Sequence, residues 1–146
     1  MNSSSAIKDI HELSKKLGYI MKQSDLLAEA LRHSSYVNEL EDLNLRDNER
    51  LEFLGDAVLG LAISHILMEL FQDAKEGDLS KYRATVVNEK GLHKVAQELG
   101  LGDFLLLGKG EELSHGKEKP SILANTVEAL LGALYLDAGF LKTKEI

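Results

Sequence analysis

Apolar residues recur at spacings of three and four along nearly the whole chain, not two. A period near 3.6 marks helices with one buried face, whereas strands alternate. The pattern predicts helices over 6–17, 24–32, 47–71, 78–89, 90–99 and 120–137, and therefore an all-α fold. Ser24-Asp25 and Asp47-Asn48 offer N-cap chemistry, and Gly100 offers a C-terminal stop. Residues 103–116 read as the least helical stretch, a glycine-rich connection ending in a charged Lys117-Glu118-Lys119 tip. No internal repeat or low-complexity tract interrupts this order. With 146 residues, 44% of them hydrophobic, the chain can build one domain around one core.

Two predicted helices break the ordinary amphipathic pattern. In 47–71, Leu51, Leu54, Val58 and Leu61 share one face at about 100° per residue. Glu49, Glu52 and Asp56 form a stripe pointing roughly the other way. Three like charges on one stripe destabilise a helix unless a positive group sits among them, and a hard divalent cation prefers such oxygen ligands. A solvated acidic face would give the same pattern. Phe53 lies beside the acids, off the Leu/Val face, and needs a second surface to bury it, within the chain or on a partner. Gly60 leaves a gap one turn on, where a ligand could approach.

The segment 120–137 is apolar nearly all round and should be buried, with Pro120 suited to its first turn. Asn125, Glu128 and Gly132 cut a narrow polar groove into it. A buried carboxylate must be paired, protonated or bound to a cation, so Glu128 requires a partner. If the two polar stripes face each other, Glu52, Asp56, Asn125 and Glu128 form an all-oxygen cluster that fits Mg²⁺ or Mn²⁺. That chemistry is hydrolysis, with phosphate esters the natural substrates.

Charge and composition narrow the picture. The net charge of −7 argues against nucleic acid as a partner. Yet residues 38–78 alone hold eleven Asp/Glu against three Lys/Arg, and the remainder is close to neutral. The acidity is local, as a metal site or a solvated acidic surface would make it. The absence of cysteine excludes disulfides, thiolate metal sites and cysteine nucleophiles, and fits a cytoplasmic location. No run reaches the roughly 18 unbroken apolar residues of a membrane span, and the first residues lack secretory-signal character. There is no phosphate-cradling glycine motif, so no nucleotide cofactor is expected. His33 reads as a packed, hydrogen-bonded histidine, and His11, His93 and His115 lack metal-ligand spacing.

The run Asn48-Glu-Arg-Leu-Glu-Phe-Leu-Gly-Asp56 closely resembles the signature segment of the ribonuclease III family. Leu31-Arg-His-Ser-Ser-Tyr36 is similar to a shorter upstream motif. Glu76-Gly-Asp-Leu-Ser-Lys-Tyr-Arg-Ala84 with Val87-Asn-Glu-Lys-Gly-Leu92 resembles a second block. Ser121 to Gly132 with Tyr135-Leu-Asp137 resembles a third. All four occur in order over nearly the whole chain.

The resemblance implies that residues 1–146 are an all-α endonuclease domain acting as a homodimer on double-stranded RNA. It implies Mg²⁺, with Mn²⁺ able to substitute, held by Glu52, Asp56, Asn125 and Glu128. Glu49 and Glu76 are implied as further acids of the catalytic valley, and Phe53 as the dimer contact. The implied reaction leaves 5′-phosphate and 3′-hydroxyl ends with a short 3′ overhang, as in processing of ribosomal and messenger RNA.

Two departures bear on this. Position 125 is Asn where the best-known members carry Asp, which keeps an oxygen but removes a charge. A catalytically impaired module binding RNA or protein is the alternative that Asn125 raises. The double-stranded-RNA-binding domain that usually follows in bacterial members is not expected within this sequence. Lys81, Arg83, Lys109, Lys117 and Lys119 are candidate phosphate contacts.

Overall fold

The computed structural model describes residues 3–41 and 44–146, with side chains from Ile10 onward. Nine α-helices account for most of the described chain: α1 (Ser3–Leu17), α2 (Ser24–Leu31), α3 (Ser34–Leu40), α4 (Glu49–Leu70), α5 (Glu76–Val86), α6 (Glu89–Leu99), α7 (Lys109–Leu113), α8 (Pro120–Ala138) and α9 (Phe140–Glu145). Short 3-10 turns occupy Leu101–Phe104 and Gly116–Glu118. The six predicted helices are present with ends shifted by a few residues. Short α3, α7 and α9 were not predicted, because five to seven residues are too few to show a period.

The core is organised around α8. Ten of its residues are buried, from Ile122 to Leu134, as expected of a helix apolar on all sides. It packs on α4, α6 and α2. Leu13, Leu27 and Leu101 from other elements and Leu134 of α8 are fully buried, and each such side chain contributes about 1.5–3 kcal/mol. Asp137, at the end of α8, accepts hydrogen bonds from the Tyr19 hydroxyl (2.6 Å) and from the Lys22 and Gln23 amides (2.9 Å each). Burial works to raise the Asp137 carboxyl, but these three donors hold it below the usual aspartate range. The α1–α2 connection is thereby fastened to α8.

Two sequence readings change. The buried face of α4 is Leu51, Gly55, Val58, Ala62 and Leu67, and Leu61 is 57% exposed. The helix presents Gly55 to α8, and there the two backbones approach closely. Ser24 is the first residue of α2 and the preceding Gln23 makes no side-chain cap. Gly100 does end α6, in the left-handed conformation at φ 63°, its N–H reaching the carbonyls of Ala96 and Gln97.

By length and composition alone α4 could cross a membrane, with a mean hydropathy of 1.6. Its packing on α8 and its acids mark it instead as a core helix. The apolar residues it leaves uncovered form a second stripe: Phe53 (84% exposed), Leu61 and Met68.

Candidate active site

The acids of α4 meet the polar notch of α8 because the two helices touch backbone to backbone. A Cβ at Gly55 would overlap the carbonyl of Glu128, and one at Gly132 would overlap the carbonyl of Leu51. Glycine inside a helix costs about 0.5–1 kcal/mol relative to alanine, and this reciprocal contact is what that cost permits. Glu52 and Asp56 flank Gly55 in sequence, so the close approach places both beside Glu128.

Glu49, Glu52, Phe53, Asp56, Asn125 and Glu128 line one open cavity of about 560 Å³. Asp56 and Asn125 are exposed, while Glu52 and Glu128 are half-buried. Burial, the hydrogen bond to Asp56 and the charges of Asp56 and Glu52 push the Glu128 carboxyl up to about 7. Burial, followed by the charges of Glu49, Asp56 and Asp47, raises Glu52 above the usual glutamate range. These are carboxylates short of positive charge, and that is the electrical condition a cation relieves. Among the described residues, no three His, Asp or Glu side chains converge closely enough to make a ready-formed cation cage. An open ring of oxygens fits an ion such as Mg²⁺, which keeps several waters and takes only one or two carboxylates directly.

Glu76 stands apart. It begins α5 and lines a different hollow with Ser64, Leu67, Met68, Leu79, Ser80 and Arg83, against the distal half of α4. Within the single chain the turn after α4 carries Glu76 to the helix's other end, outside the cavity that the other acids line.

The chain and its fold have counterparts among known proteins. A profile of the family described as ribonuclease-III-like matches residues 23–146. Ribonuclease 3 of Syntrophobacter fumaroxidans is 54% identical over 130 residues, covering 89% of this chain and 54% of that protein. Ribonuclease 3 of Oceanobacillus iheyensis is 54% identical over 132 residues, covering 90% of this chain and 58% of that protein. The crystal structure of the nuclease domain of ribonuclease III from Campylobacter jejuni matches with a TM-score of 0.86 at 48% identity, over 94% of this chain and 90% of that one. A second structure of that domain, described as flexible in a region involved in dimer formation, matches with a TM-score of 0.85 at 48% identity, over 93% of this chain and 91% of that one.

The chain belongs to the ribonuclease-III-like family. It spans a little over half the length of those two curated relatives. The ribonuclease III family is generally metal-dependent, which leaves the choice of ion to the donor set.

Within the ribonuclease III fold, several residues gain roles that their spacing did not show. Gly55 matters more than Gly60, whose surroundings are open. The usable signal was a pair of mid-helix glycines, 55 and 132, each beside a polar notch. A second cavity adjoins the first, sharing Asp56, Asn125 and Glu128 and adding Asn88, Glu89 and Ser121. His33 is hydrogen-bonded as expected: its Nδ1 accepts from the Ser35 amide at 3.1 Å and lies 2.8 Å from the Ser35 hydroxyl. Of the candidate phosphate contacts, Lys119 pairs with Glu111 (3.0 Å), Lys117 with Glu112 (3.8 Å), and Arg83 donates to the Ser64 hydroxyl (3.0 Å).

Proposed function

We propose that this chain is the nuclease domain of an endoribonuclease that cuts double-stranded RNA, using a divalent cation, Mg²⁺ with Mn²⁺ able to replace it. The observation that carries the reading is the convergence of Glu52, Asp56, Asn125 and Glu128, from two interlocked helices, on one open cavity. The carboxylates of Glu52, Asp56 and Glu128 and the amide oxygen of Asn125 would hold the cation, one or two of them directly and the others through its waters. When bound, such an ion lowers the pKa of water and stabilises negative charge on a phosphate.

The chain's own residues do the rest. Glu128, hydrogen-bonded to Asp56, would give up its proton on taking up positive charge. Glu49 lines the same cavity, and its charge acts on Glu52. Asn125 contributes an oxygen without charge, so it weakens the hold on the ion relative to Asp. The open groove accepts a duplex by its shape and 2′-hydroxyls more than by sequence. Cleavage would leave 5′-phosphate and 3′-hydroxyl ends with short 3′ overhangs.

The reading includes a homodimer built on the uncovered α4 stripe. Phe53 stands 84% exposed beside the site, with Leu61 and Met68 following on the same helix. Large apolar side chains left uncovered along one helix support an interaction surface there. With a net charge of −7, the chain by itself should hold RNA weakly at physiological salt.

The deciding experiment incubates the chain with a long RNA duplex at low salt, with Mg²⁺, with Mn²⁺ and with EDTA. Cation-dependent cuts that leave 5′-phosphates on duplex but not single strands are expected. Binding without cutting in both ions would overturn the catalytic reading, and a monomer at high concentration would overturn the dimer.

A further inference from the structure

Asn48 is the N-cap residue of α4, yet its side chain does not cap that helix. An Asn at this position ordinarily accepts from the second or third helical N–H, worth about 1 kcal/mol. Here Nδ2 points away and donates to the Ala30 carbonyl of α2 at 3.0 Å. The Asn48 backbone N–H donates to the Arg32 carbonyl at 2.8 Å. The local task passes to Asp47, whose Oδ1 accepts from the Glu49 N–H at 3.0 Å. Asn48 is 4% exposed, so any break in these bonds strands buried polar groups. A residue that gives up the favoured local bond for a tertiary one is a place where local preference yields to another demand.

The strip that Asn48 grips is itself held from two sides. The Arg32 Nε donates to the Arg46 carbonyl at 2.8 Å. On the other side the Leu106 N–H donates to the Leu31 carbonyl at 2.9 Å, and the His33 N–H to the Leu106 carbonyl at 3.0 Å. The start of α4 is therefore tied to a fixed point. Two turns further on, Gly55 and Gly132 set how closely α4 approaches α8. That contact holds α4 at one point along its length, and the bonds of Asn48 hold it at a second, its start.

We propose that Asn48 is a positioning residue for the active site: its bonds to Ala30 and Arg32 fix the height and rotation of α4, so that Glu49, Glu52 and Asp56 meet Asn125 and Glu128. The consequence for catalysis rests on the nuclease reading above, while the positioning itself does not.

Three variants test it. Asn48→Asp removes the donor to Ala30. Asn48→Ser keeps a good cap for α4 but is too short to reach α2, so it should fold if the Asp variant does not. Thr143→Ala serves as a destabilising control away from the cavity, since it deletes a bond to the Gly139 carbonyl.

Amide NMR signals of Asn125 to Gly132 should move in both Asn48 variants and stay in place in Thr143→Ala, in metal-free protein. Mn²⁺ affinity, measured by calorimetry, should weaken about tenfold in the Asn48 variants only. A lowered Tm with unmoved α8 signals and unchanged Mn²⁺ affinity makes Asn48 merely structural and overturns the proposal. If the unmutated protein binds no Mn²⁺, the nuclease reading fails, and the α8 signals alone decide the positioning role.

Discussion

The two ends of α4 carry acids of the same kind and end in opposite situations. At its N-terminal end the backbone lies against α8 at Gly55 and Gly132, and four acids and one amide share a cavity. At its C-terminal end α5 lies alongside with no buried residue of its own. Contacts there are peripheral: Phe71 against Tyr82 at 4.9 Å between ring centres, and Arg83 on Ser64. The Lys144–Glu69 pair at 2.8 Å joins α9 to the same end, with Glu69 facing solvent, which screens the attraction. Glu76 sits at this looser end. A carboxylate becomes part of a charged constellation when backbones are brought together around it, and membership of the same acidic stretch of sequence is not enough.

The contrast can be broken most directly by removing acids at each end. Asp56→Asn and Glu128→Gln should each slow single-turnover cleavage of an RNA duplex by about 10²–10³, roughly 3–4 kcal/mol of transition-state stabilisation. Both should also weaken Mn²⁺ binding in calorimetry. Glu76→Gln should leave Mn²⁺ affinity unchanged whatever it does to cleavage. An equal loss of affinity at Glu76 would place it in the cluster and erase the distinction.

Glycines probe the same contrast through stability. Gly55→Ala forces a methyl into the Glu128 carbonyl and should destabilise the fold by about 1–3 kcal/mol in urea unfolding. Gly77→Ala in α5 meets open space and should be neutral or stabilising by about 0.4–1 kcal/mol. Similar losses at both positions would mean that the α4–α8 contact is no tighter than the far end.

Asn125→Asp returns a full negative charge to the cavity. Mg²⁺ should then support cleavage at about tenfold lower concentration, or 1.4 kcal/mol. Superimposable Mg²⁺ curves for the two proteins would remove Asn125 from the ligand set.

The smallest effect is the pH response of Glu128. Its carboxyl is raised to about 7, first by burial and then by Asp56 and Glu52, so the folded protein binds a proton that the unfolded chain releases near the ordinary glutamate value. That contribution to stability is complete below the unfolded value and is lost as pH rises through about 7. The metal-free Tm should therefore decline across this window, and Glu128→Gln should flatten the decline. Mn²⁺ binding must displace the same proton, so affinity should rise with pH up to about 7 and then level off. A flat affinity profile from pH 5 to 8 would show Glu128 already ionised.

Much of this was legible in the chain. The period of the apolar residues gave six helices and the all-α class. The recurrence of polar residues at 49, 52 and 56 and again at 125 and 128 gave two stripes that meet as expected. The misplaced inward face of α4 has a definite origin: a hydrophobicity pattern favours Leu61, whereas close packing selects Gly55 and Ala62. Asn48 was read as a cap because its type and position fit one, and its hydrogen bonds go to residues 16 and 18 positions away, which no local pattern contains.

By itself, then, the sequence determined which segments are helical and which side chains can hold charge, because both follow from local spacing and residue type. Only the tertiary structure decided which acids share a cavity. It joined Glu49, Glu52 and Asp56 to Asn125 and Glu128 across a glycine contact and left Glu76 at the other end of the same helix. The reason is one of range. Helix formation is settled within about one turn of chain, while the separation of two carboxylates depends on how closely two backbones can approach.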